Sequence, residues 1–226
     1  MSTAPPVVVF DVNETLSDMS ALGQRFSDVG VPAELAKLWF ATLLRDGFAL
    51  TASGDNASFA DVGADVLRRL LTGTALDRPL DAAVDHVMNG MAGLAVHSDV
   101  PDGVRALSAA GFRLITLSNG SARIADKLFS GAGIRDRFDL LLSVEDAPCW
   151  KPARASYDYA AAAAGTEPAG MLLVAVHPWD IHGAARAGLR TAWLNRNGER
   201  YPQHFHTPDI TVTALTDLPA ALAAEL

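Results

Sequence analysis

The sequence predicts an α/β protein, a doubly wound parallel sheet interrupted by an inserted helical unit. Three observations predict it. Val7-Val8-Val9-Phe10 is an uninterrupted apolar run, the pattern of a strand covered on both faces. From Ser98 onward, strand-like and helix-like segments alternate, as they do when crossover helices join parallel strands. Between the two lie about eighty residues with helical periodicity and no convincing strand.

The first strand ends at Asp11, which opens Asp11-Val12-Asn13-Glu14-Thr15-Leu16. In the intervening stretch Phe59, Val62, Gly63, Val66 and Leu70 fall at helical spacing, as do Leu80, Val84, Val87, Met88 and Met91. Ser20 and Ser58 suit N-caps, and Pro32 suits a first helical turn. After Ser98 the reading is helix 101–110, strand 113–117, helix 121–130, strand 140–143 and helix 153–164. Strand 171–176, helix 178–187, strands 191–194 and 210–212 and a closing helix 218–226 follow. The Ala-rich run 160–164 is helix-forming. The expected organisation is an α/β core from residues 1–16 and 97–226, with a helical cap over 17–96.

Composition narrows the function. A chain of 226 residues, half of them hydrophobic, can bury a substantial core. The net charge of −8 argues against a general nucleic-acid surface, so an anionic substrate would need local positive groups. A single cysteine, Cys149, excludes an internal disulfide and suits a reducing compartment. Met1-Ser2-Thr3-Ala4-Pro5-Pro6 lacks the basic start and apolar core of a signal peptide. No segment approaches the ~20 apolar residues of a membrane span. A cytoplasmic protein acting on a small molecule, without nucleic-acid or membrane partners, is therefore expected.

Carboxyl ends of parallel strands face one side of the sheet, where ligands bind. Four polar groups fall at or near such ends: Asp11, the Ser118-Asn119 pair, Lys151 and Asp180. A buried carboxylate at a strand end costs desolvation unless it is used, and an Asp there can act as a nucleophile. Taken singly, each residue also has a plain reading: Asp11 and Ser118 as caps, Lys151 as a solvated charge, Asp180 as a first-turn acid.

At this point the chain resembles the haloacid dehalogenase superfamily of hydrolases over nearly its whole length. The pieces are Asp-x-x-x-Thr after the first strand, a helical cap, Ser-Asn after the second core strand, a Lys and a later acid. Within the superfamily it is most similar to the L-2-haloacid dehalogenase branch. Leu117-Ser118-Asn119-Gly120-Ser121, Lys151-Pro152 with Tyr157, Trp179-Asp180 and Trp193-Leu194-Asn195-Arg196 carry that likeness. The resemblance implies cleavage of the carbon–halogen bond of a small 2-haloacid. Asp11 would attack the substrate carbon to form an aspartyl ester, with Lys151 lowering the charge penalty. Thr15, Ser118, Asn119 and backbone N–H groups near the helix beginning at Ser121 would hold the substrate carboxylate. Tyr157 would position Lys151 or the substrate. Asp180, through His177 beside it, would activate the water that splits the ester. A homodimer is expected by family likeness alone.

Residue 13 bears on the reaction. Phosphatases of the superfamily carry there a second Asp that protonates the leaving alkoxide, whereas Asn13 cannot supply a proton. Departure of a halide needs none. Asp180 alone beside Asp11 makes a poor magnesium site, so chemistry without metal or other cofactor is expected. A magnesium-dependent phosphatase of the same superfamily, or a weakly catalytic small-acid binder, are the alternatives.

Two departures from the branch stand out. Phe40 follows Trp39 where the branch has an Arg that cradles the departing halide, and Arg45, five residues on, is the candidate replacement. It lies about 140° further round a helix, so it reaches the site only if the helix turns or ends, which Gly47 could allow. Ala175 and His177 replace a Ser and an Asn of the water-binding shell. Trp39, Phe40, Phe48 and Phe59 are candidates for an apolar pocket wall. His182, His204 and His206 lack a partner set for zinc, and Cys149 lacks one for thiol catalysis.

Overall fold

A computed structural model describes residues 6–224. The chain runs β1 (Val7–Phe10), β2 (Ser17–Asp18), α1 (Leu22–Ser27), α2 (Leu35–Ser53), α3 (Phe59–Leu71), α4 (Leu80–Met91) and β3 (Ala95–Val96). It continues through α5 (Val100–Ala109), β4 (Arg113–Ser118), α6 (Ala122–Gly131), β5 (Leu140–Ser143) and α7 (Arg154–Ala164). The last elements are β6 (Met171–Ala175), α8 (Pro178–Ala187), β7 (Arg190–Leu194), β8 (Ile210–Val212) and α9 (Leu218–Ala223).

Six strands form one parallel sheet in the order β5-β4-β1-β6-β7-β8. The first strand in sequence is thus central, with β4 on one flank and β6 on the other, and the winding reverses there. A crevice opens where neighbouring connections leave toward opposite faces, which places it at the carboxyl end of β1. Alternate side chains of β1 serve two cores: Val7 and Val9 join one apolar cluster, Val8 and Phe10 the other. This double cover is why the strand reads as a continuous apolar run.

Helices α1 to α4 fill the chain between β2 and β3 and share the first of these clusters. Ser58 caps α3 as expected, its Oγ accepting from Asp61 N at 3.0 Å. Ser20 does not cap: the side chain of Asp18 accepts from Ser20 N instead. Pro32 sits in a turn ahead of α2, which begins only at Leu35. The expectation of no strand here is corrected by β2 and β3, which pair antiparallel and bracket the helices. The closing helix is described to Ala223, and residues 225–226 of its expected span lie outside the described residues. Among the described residues no helix is long and apolar enough to cross a membrane.

Candidate active site

Asp11 follows β1 directly and is 3% exposed. Its Oδ1 accepts from Lys151 Nζ at 2.9 Å and its Oδ2 from Thr15 Oγ1 at 2.6 Å. Thr15 Oγ1 itself accepts from Val176 N (3.1 Å), which leaves its hydrogen for Asp11. The fully buried Lys151 also donates to Asp180 Oδ2 at 2.6 Å. Tyr157 Oη donates to Asp180 Oδ1 at 2.5 Å. Gly183 permits this on α8, since a Cβ there would stand 2.6 Å from the Tyr157 hydroxyl. Asn119 grips the backbone of Lys151, accepting from its N at 3.0 Å and donating to its O at 3.2 Å. Ser118 Oγ accepts from Gly120 N at 2.9 Å.

These contacts sort the two acids. Burial alone would raise the Asp11 carboxyl, but the Lys151 ammonium, with His177 and the Thr15 hydroxyl, holds it below its ordinary value. For Asp180 burial wins over Lys151, and its carboxyl is raised. Burial disfavours the charged form of Lys151, yet the two carboxylates overcome it and raise its pKa. Burial, then Asp180, push the Tyr157 phenol well above its ordinary range, so it stays a donor. Asp11 is therefore held as a carboxylate, and Asp180 is a deeper group that fixes Lys151.

Three residues expected to meet substrate or water are engaged by neighbouring side chains and backbone. Asp180 has both oxygens engaged, one by Lys151 and one by Tyr157. The Thr15 hydroxyl bonds Asp11 and Val176, and the Asn119 amide bonds the Lys151 backbone.

His177 is also placed differently. Pro178 opens α8 and turns Asp180 inward on its first turn, while extended backbone at His177 sends the imidazole toward the loop after β1. Its Nε2 lies 3.1 Å from Asn13 O, a group that only accepts, so this nitrogen carries hydrogen. The same nitrogen is 3.6 Å from Asp11 Oδ2. The ring stacks on Trp179 (centroids 5.0 Å, 20°) and leans on Phe40 (6.2 Å).

Arg45 is not at the site. Its side chain is 66% exposed and bonds Asp46 at 2.9 and 2.7 Å. Helix α2 runs unbroken to Ser53, so nothing relieves the rotation between positions 40 and 45. Gly47 serves another purpose, because a Cβ there would come within 2.4 Å of the Trp150 ring. Of the four aromatics considered for the pocket, Phe40 touches His177 and Phe48 touches Trp179 (5.0 Å), while Trp39 and Phe59 are buried in the core. Phe40, His177 and Leu44 line a cleft of about 790 Å³ between α2 and the sheet.

Sequence reasoning missed Trp150 and His97. Trp150 stacks on Phe59 (6.1 Å, 12°), donates from Nε1 to Ala57 O at 3.0 Å and from N to Thr51 Oγ1 at 3.1 Å. A bulky indole directly before Lys151 was its available signal. His97 Nε2 donates to Glu14 O at 2.9 Å. Glu14 has φ 61, a left-handed conformation costing a non-glycine residue about 1–2 kcal/mol. Elsewhere, His182 Nδ1 accepts from His206 N, and burial pushes the Cys149 thiol up, away from the reactive thiolate. Among the described residues no group of three or more His, Cys, Asp or Glu could hold a metal ion.

Residues 5–188 match the family model of haloacid dehalogenase-like hydrolases. The chain belongs to that family. This hydrolase is 34% identical over 211 residues to the (S)-2-haloacid dehalogenase of Pseudomonas sp. (strain YL), covering 92% of the chain and 90% of the relative. It is 27% identical over 210 residues to haloacetate dehalogenase H-2 of Moraxella sp. (strain B), covering 92% and 93%. The crystal structure of an L-2-haloacid dehalogenase superposes with a TM-score of 0.88 at 28% identity, over 98% of this hydrolase and all of that chain (100%).

Proposed function

We propose that this hydrolase cleaves the carbon–halogen bond of a small 2-haloacid through an ester on Asp11. The observation that carries the reading is the buried Lys151 ammonium bridging Asp11 and Asp180, beside an amide at Asn13. A carboxylate kept ionised in this way displaces halide from C2: the Asp11 oxygen–carbon bond forms as the carbon–halogen bond breaks, and the halide leaves with the electron pair. Water then adds to the carbonyl carbon of the ester. The ester opens to a 2-hydroxy acid, the Asp11 carboxylate returns and one proton is released. Lys151 and Thr15 orient the nucleophile, Asn119, Asp180 and Tyr157 hold Lys151, and Ser118 with the Gly120 turn offers the substrate carboxylate its place. Helices α1 to α4 act as the cap, with Phe40 and His177 facing the reacting carbon.

A magnesium shell does not fit these residues. Lys151 fills the space between the two carboxylates, and Tyr157 takes the remaining Asp180 oxygen. The likeness to (S)-2-haloacid and haloacetate dehalogenases supports haloacetates and other 2-haloacids as substrates. We also infer a cytoplasmic setting from the lone cysteine, and a homodimer by family likeness, which light scattering on the purified chain would check.

The deciding experiment measures halide release from haloacetates and both 2-halopropionate enantiomers, in EDTA, for the wild type and Asp11→Asn. Release by the wild type, lowered at least about 10⁴-fold in the variant, is expected. Equal release from both proteins would refute the ester mechanism, and phosphate release from esters with magnesium would favour the phosphatase alternative.

A further inference from the structure

Three successive carbonyls of the nucleophile loop each accept a hydrogen bond from a different distant side chain. Asn13 O receives His177 Nε2 (3.1 Å), Glu14 O receives His97 Nε2 (2.9 Å) and Thr15 O receives Arg196 Nη2 (3.0 Å). The donors come from three places: the start of α8, the residue after β3, and the turn beyond β7. The peptide units they hold flank Glu14, the one described non-glycine residue with positive φ, and end at Thr15, whose hydroxyl aims at Asp11. His97 is pinned in turn, its N donating to Leu16 O at 3.0 Å. Arg196 also pairs with Asp99 at 3.1 Å, just ahead of α5.

We propose that His97 is a positioning residue for the nucleophile, acting through the Glu14 carbonyl from the point where the helical insert rejoins the core. Without its donor, Glu14 relaxes toward negative φ and rotates the Glu14–Thr15 peptide, which moves the Thr15 hydroxyl off Asp11 Oδ2. The position of the insert is thereby tied to the aim of the nucleophile. This inference rests on the Asp11 reading, and one of its two measurements does not depend on turnover.

The test compares His97→Phe, which keeps ring volume but removes the donor, with His97→Gln, whose amide can donate in its place. Amide hydrogen exchange over residues 11–18 of the folded chain is expected to speed up about tenfold in the Phe variant and to stay near wild type in the Gln variant. Halide release is expected to show kcat reduced about tenfold with KM within twofold for Phe, and rescue by Gln. Unchanged exchange in the Phe variant, or equal losses in both variants, would overturn the proposal. If the wild type released no halide, the dehalogenase reading would fail while the exchange rates still decided the clamp.

Discussion

Two clusters of three charges are built in opposite senses, one in the sheet core and one on the helical insert. In the core one cation, Lys151, stands between two carboxylates, Asp11 and Asp180, with side chains 0–5% exposed. On the helical insert one carboxylate, Asp46, stands between two cations, Arg45 and Arg69, whose side chains are 66% and 60% exposed. Both clusters satisfy simple charge pairing, and their chemistry differs because of where water is. Around Asp46 solvent screens each pair, and the cluster contributes little. Around Lys151 the three groups are sealed from bulk solvent, so each partner shifts the protonation of the others. Burial, not the presence of opposite charges, turns a salt bridge into a reactive group.

Breaking the buried cluster has the largest expected effect. Lys151→Met leaves two buried carboxyls unpaired and should lower stability by about 3–5 kcal/mol at neutral pH, read by urea unfolding. The sign with pH also changes. With Lys151, Asp11 sits below its ordinary value, so its contribution to stability is present at neutral pH and lost as pH falls through that lowered value. Without it, burial raises both carboxyls, and the variant should gain stability as pH falls through the raised values. The acid limb of its kcat/KM profile should move up accordingly.

A subtler change keeps every charge and moves the lysine. Gly47→Ala drives a methyl to within 2.4 Å of Trp150, the residue before Lys151. Overpacking of this kind costs about 1–3 kcal/mol, and displacing the ammonium should reduce kcat/KM by roughly ten- to a hundredfold. Thermal unfolding and halide release measure the two effects separately. At the weak end, Arg45→Ala should change stability by less than about 1 kcal/mol, a difference that vanishes in 1 M salt, and leave turnover intact. A large loss of turnover in that variant would restore Arg45 to the site and undo the contrast.

What was legible in the sequence follows the same division. Strand β1, helix α8 and the strand-end position of Asp11 follow from local pattern: a double-covered strand is apolar throughout, and Pro178 marks a first helical turn. Lys151 was placed among the strand-end groups, but its pairing came from resemblance, because the loop between β5 and α7 has no periodicity to read, and so did the role of Tyr157 on α7. His177 was paired with the wrong acid, since closeness along the chain does not set which way a side chain turns at a helix N-cap. His97 and Trp150 escaped notice because their partners are 83 and 93 residues away, a distance no local pattern spans. Strands β2 and β3 are two residues each, too short for alternation to register.

That small pairing has an architectural consequence. Ser17 faces Val96, and His97 N bonds Leu16 O, so the chain leaves the core and returns to it through adjacent, hydrogen-bonded positions. To the sheet, everything between these points is a closed side loop whose length does not alter the spacing of the strands. A fold stitched this way can exchange one lid for another without re-registering its catalytic strands, and selectivity can change while the reaction is inherited.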